Sequence, residues 1–181
     1  MVSTSWGLSV GFSLAWALSS VFSGAVESRD HTSTPSAQFR ETNPYECLVT
    51  QPNGATYAAE PAGGNHGNEA LVTWLWPDGK IVFKPGGPGF VLSDGTLSMK
   101  FGWWRRLNGP LTLEGRRVDS DAPAMRSSIP SGYGEHGFQS TALIFPTPGC
   151  WQVTGRVAGG SLTFVVLVEK IGEGPARAAL R

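Results

Sequence analysis

Apolar and polar positions alternate along two stretches of the chain. In residues 111–118, Leu111, Leu113 and Gly115 fall on one side and Thr112, Glu114 and Arg116 on the other. In residues 151–157, Trp151, Val153 and Val157 oppose Gln152, Thr154 and Arg156. A period of two marks a half-buried strand with one wet face. Residues 162–169 form a near-continuous apolar run, as expected of a strand covered on both faces. Residues 45–50 and 138–145 also read as strands. Residues 71–76 and 80–84 flank Pro77-Asp78-Gly79, and residues 90–92 and 96–103 flank Ser93-Asp94-Gly95. Asp-Gly between apolar runs predicts a hairpin, and two in succession predict a meander. Ala158-Gly159-Gly160 predicts a further turn. About nine short strands without a long amphipathic helix argue for an all-β sandwich or barrel.

Composition agrees. The chain has 181 residues, of which 24 are Gly and 13 Pro, a bias suited to short strands and tight turns. Seven Trp and nine Phe supply a large apolar core. Lys plus Arg and Asp plus Glu number 14 each, so no net charge favours nucleic acid as a partner. The pairs Arg105-Arg106 and Arg116-Arg117 are too few for a phosphate-binding footprint and read as solvated strand faces.

Residues 1–26 carry no charged side chain, and residues 8–22 are mostly apolar. Ser23-Gly24-Ala25 offers small residues at a cleavage site, so residues 1–25 are expected to be a secretory signal peptide. The n-region lacks Lys and Arg, which leaves an uncleaved anchor or a misassigned start as alternatives. An anchor of that kind would be the chain's one contact with a membrane. Residues 26–44 read as a flexible polar tether, 45–171 as the β-domain and 172–181 as a frayed tail.

The segment 145–157, FPTPGCWQVTGRV, followed by a glycine turn and SLTFVVLV at 161–168, resembles the last hairpin of many bacterial immunoglobulin-like domains. The run 111–115, LTLEG, resembles an early strand of that fold. The chain also resembles a group of secreted bacterial proteins of unknown function, through FKPGGPGF at 83–90, IPSGYG at 129–134 and FPTPGC at 145–150. The resemblance implies an antiparallel immunoglobulin-like sandwich over residues 108–170. Residues 45–104 fit the pattern poorly and are expected to add N-terminal β-hairpins. The fold itself says little about activity.

Candidate chemistry is sparse. Cys47 and Cys150 are the only cysteines. In an exported protein a bridge between them would pin the first strand to the penultimate one; two separately buried thiols are the alternative. His66, in GGNHGN at 63–68, and His136, in GEHG at 134–137, with Glu69 and Glu135, could furnish a metal-dependent hydrolase, although no spacing supports a site. No metal or other cofactor is therefore expected. Residues 84–89, KPGGPG, lack the Gly-Lys-Ser/Thr of a phosphate loop and read as a turn. Trp74 and Trp76 are expected to share one strand face, and Trp103 and Trp104 adjoin Arg105. These five residues could recognise a carbohydrate or peptide, or the indoles could simply fill the core. The leading expectation is a non-enzymatic binding or structural module, secreted or in the periplasm or cell envelope, with an envelope protein or glycan as candidate partner.

Overall fold

In the computed structural model, residues 46–60 and 62–172 are described. The expected signal peptide, the tether, Tyr45 and all but the first residue of the tail lie outside them. Strand β1 spans His66–Gly67, β2 Leu71–Thr73, β3 Lys80–Phe83, β4 Phe90–Val91 and β5 Leu97–Arg105. Then come β6 Thr112–Arg117, β7 Arg126–Ser128, β8 Gly137–Phe145, β9 Gly149–Val157 and β10 Gly160–Lys170. One sheet has the order β1-β2-β5-β8-β7, with β4 also paired to β5; the other has the order β3-β10-β9-β6. The described residues thus form an all-β sandwich.

Side-chain alternation builds the core. On β5, Leu97, Met99, Phe101 and Trp103 are buried while Lys100 is exposed. On β8, Gln139, Thr141, Leu143 and Phe145 point inward; on β10, Leu162, Phe164, Val166 and Val168 do. Each such apolar side chain contributes about 1.5–3 kcal/mol of transfer free energy, most of it offset by lost chain entropy. Rings from both sheets meet at the centre. Phe101 lies 5.3 Å from Trp103 and 5.5 Å from Phe164, and Trp103 lies 5.8 Å from Phe164. Trp103 also reaches Gly155 of β9, where a Cβ would stand 2.7 Å from the indole Cζ3.

Several expectations need correction. Pro77-Asp78-Gly79 does not close a hairpin. It carries the chain from β2 in one sheet to β3 in the other. Strand β3 then pairs in parallel with the end of β10, Lys80 opposite Leu167, so the second sheet is mixed rather than antiparallel. Buried Leu75, two residues beyond β2, draws the chain into the core, and this outweighs the local turn preference. The second Asp-Gly turn does form a hairpin, with Phe90 opposite Ser98 and Val91 opposite Leu97. A short hairpin of β1 and β2 is a further N-terminal addition. Thr154 is buried rather than outward in water, its hydroxyl 2.8 Å from that of Thr163. Strand β10 is buried on its inner face and only half-covered at Val165 and Leu167, with Thr163 exposed.

Residues 46–50 are not a strand but a strap beside β10. Thr50 donates its N–H to the Val165 carbonyl and accepts the Val165 N–H on its hydroxyl, both at 2.9 Å. Val49 packs so closely on Gly79 that a Cβ there would lie 2.4 Å away. Cys47 and Cys150 are joined by a disulfide across 103 residues of sequence, with Cα atoms 5.4 Å apart. The bridge therefore fastens the strap, not a first strand, to the start of β9. Beside it, Arg117 bonds both oxygens of Asp119 at 2.6 and 3.2 Å and the Thr147 hydroxyl at 3.2 Å.

Two variants test these features. Gly155→Ala should cost about 1–3 kcal/mol through overpacking against Trp103, read as a lower thermal midpoint; an unchanged midpoint would show that the indole yields freely. Replacing both cysteines by serine should lower stability by on the order of 4 kcal/mol, and dithiothreitol should reproduce the loss in the natural chain but not in the variant.

Candidate functional site

The phase that sends Phe101 and Trp103 inward sends Lys100, Gly102 and Trp104 to the outer face of the first sheet. The same alternation on β8 turns Phe138, Ser140 and Ala142 outward. Register places Trp104 opposite Phe138, Gly102 opposite Ser140 and Lys100 opposite Ala142. The Trp104 and Phe138 rings are 5.2 Å apart, and Tyr133 meets Phe138 edge-on at 5.9 Å. Gly102 supplies the floor: a Cβ there would stand 2.9 Å from Phe138 Cε2, so only glycine lets the ring lie over the strand. Trp74 lies one residue past the end of β2. Val72 pairs with Trp104. Trp74 is 50% exposed, Tyr133 40% and Phe138 39%, high exposure for such large rings.

Trp104 lies beneath this row, nearly buried. Its indole N–H donates to Glu60 Oε2 at 2.7 Å, and Gly63 packs against the same nitrogen. The loop carrying Glu60 is tied down by two asparagines whose amides imitate a neighbouring strand. Asn53 bonds the N–H and carbonyl of Gly67 at 3.1 and 2.8 Å. Asn65 bonds the N–H and carbonyl of Leu75 at 2.7 and 2.8 Å. Trp104 is thereby fixed in place from above and below.

The five recognition candidates are not brought together. Trp104 packs on Phe138, and Trp74, one residue past β2, is half-exposed. Trp76 lies beyond the end of β2 and stacks on core Phe101 at 5.4 Å, and Trp103 is wholly buried. Arg105 is buried too: its Nη1 donates to the Gly109 carbonyl at 2.8 Å and its Nη2 to that of Gly134. It joins two loops at one end of the sandwich and presents nothing to a ligand. Sequence reading missed Phe138 and Tyr133. The parity of Leu143 and Phe145 on the same strand would have placed Phe138 outward; nothing in the sequence marks Tyr133.

The outer face of the second sheet differs in kind. Arg116 Nε bonds Gln152 Oε1 at 2.9 Å, and Arg156 bonds Glu114 Oε1 at 2.5 Å. A shallow depression of about 340 Å³ lies among Glu114, Gly115, Arg116, Gln152 and Thr154. Its polar groups largely satisfy one another. Among the described residues no group of three or more His, Cys, Asp or Glu could hold a metal ion. His66 is buried on β1 opposite Thr73, its Nδ1 without a hydrogen-bond partner among the described residues, whereas His136 sits exposed in a loop. Comparison with known protein families, with characterised proteins and with solved structures finds no match to this chain.

Burial holds the His66 pKa below its ordinary 6.5. The unfolded chain therefore binds the proton first, and the neutral imidazole's stabilisation is complete above about pH 6.5 and lost as pH falls below it. The urea midpoint should decline between pH 7.5 and 5.5, and His66→Gln should flatten that decline. An equal slope in the variant would place the titration elsewhere.

Proposed function

We propose that this chain is an exported immunoglobulin-like binding module that works by contact through the outer face of its first sheet. The observation that carries this reading is the cluster of exposed Phe138 and Tyr133 beside a floor made by Gly102, with Trp104 locked beneath it by Glu60 and exposed Trp74 just past β2. Exposed aromatic side chains backed by rigid packing are what recognition surfaces use, because little entropy remains to be lost on binding. Strand order supports the immunoglobulin-like part. Strands β2-β5-β8-β7 correspond to the A-B-E-D order of such a sandwich, and β6-β9-β10 to C-F-G, with β3 as an added strand. The bridge differs from the one that crosses antibody domains between two strands. It joins the strap to β9 instead.

Export is supported by the disulfide, which fits an oxidising compartment, and by the apolar N-terminal segment. The secretome or the cell envelope is the expected setting, with an envelope protein or glycan as partner.

The test is retention of the purified chain on isolated cell envelopes. Trp74→Ala and Phe138→Ala should each weaken retention at least about tenfold while leaving the thermal midpoint within a few degrees. Retention unaffected by both changes would overturn the role of this face.

A further inference from the structure

We infer that the Cys47–Cys150 bridge is a mechanical bypass whose redox state sets how far this domain can be drawn out under tension, whatever the aromatic cluster binds. The first observation is the placement of the bridge. Cys47 is the second described residue and Cys150 lies at the start of β9, with a sequence separation of 103. Cys150 stands opposite Leu167, close to the end of β10. A pull on the two sides of the domain enters β9 through the sulfurs and leaves through β10. The covalent line between those points is β9, its turn and β10. Residues 48–149 hang from that line as a closed loop and bear none of the load. Strands β1 to β8 all lie in the loop, and so do Glu60, Trp104, Tyr133 and Phe138 of the aromatic cluster.

Without the bridge the same pull falls on the strap. The strap's hold on the second sheet is the pair of 2.9 Å bonds between Thr50 and Val165, with Val49 seated on Gly79. Two such bonds exchange readily with water once loaded. No covalent stop then remains between the strap and β10, so the whole domain can be extended.

The second observation is access. Cys150 is 2% exposed, whereas Cys47 is only half-buried. A dithiol reductant therefore reaches Cys47 Sγ first. Its thiolate attacks that sulfur, the S–S bond breaks, and Cys150 leaves as a thiolate that takes up a proton. The second thiol of the reductant gives up its proton and displaces Cys47, which is protonated in turn, while the reductant closes its own disulfide. Both electrons come from the dithiol. Exchange at this one bond converts a short link into a long one.

The experiment is to stretch the full chain from its two ends in an optical trap, before and after dithiothreitol. Residues flanking the domain contribute equally in both states and cancel in the difference. The oxidised domain should lengthen by no more than about 70 Å, the extended reach of residues 150–170. Reduction should release the 103 residues held by the bridge, adding about 350 Å. A variant with both cysteines replaced by serine should give the long extension with or without dithiothreitol. If circular dichroism shows that variant unfolded, the natural chain in its two redox states carries the comparison by itself. The long extension from the oxidised chain would overturn the bypass. A folded chain that stays bridged in dithiothreitol until urea is added would overturn the role of exchange. Loss of envelope retention bears on the binding-module reading and leaves these outcomes unchanged.

Discussion

The contact between Trp103 and Gly155 governs the spacing of the two sheets. The indole is, with that of Trp151, one of the two largest side chains wholly enclosed in the core, and it spans the gap from β5 to the backbone of β9. No side chain on β9 could accept it there; the glycine makes the room. Leu71 leans on the same glycine, so β2, β5 and β9 meet at one point. Phe101 and Phe164 then close around the indole. The alternation fixed by this inward ring also decides the outer face. With Trp103 inward, Gly102 and Trp104 must face out, and the floor and base of the aromatic row follow from the same register.

Much of the fold is legible in the sequence, and the reason is local. Strands 112–117 and 149–157 alternate because one face of the second sheet is wet, and the hairpin at Asp94-Gly95 forms where turn chemistry and strand pairing agree. At Asp78-Gly79 they disagree. The same dipeptide serves a crossover because buried Leu75 and the pairing of β3 with distant β10 dominate. Such non-local pairing leaves no mark in a short window of sequence. The stretch 46–50 has strand-like composition, but it meets β10 only at Val165, through the Thr50 N–H and hydroxyl rather than a full backbone ladder.

The candidate face was legible only in part, because composition reports which rings exist and not which way they point. Four tryptophans drew notice, yet two of them sit within or against the core, and the face draws on Phe138 and Tyr133 instead. Arg105 shows the same limit. An arginine after two tryptophans reads as a surface cation until two backbone carbonyls are seen to enclose it. The bridge, by contrast, involves the only two cysteines, and the sole question was whether they meet.

The parallel pairing of β3 with β10 bears on the order of assembly. Lys80 and Phe83 find their partners at Leu167 and Lys170, close to the last described residue. The second sheet therefore cannot close until nearly the whole domain has emerged from the ribosome. Long loops must be closed before such contacts bring any gain, which slows folding. The disulfide spans a longer stretch still, 103 residues from the strap to β9, so it too can join only late in synthesis.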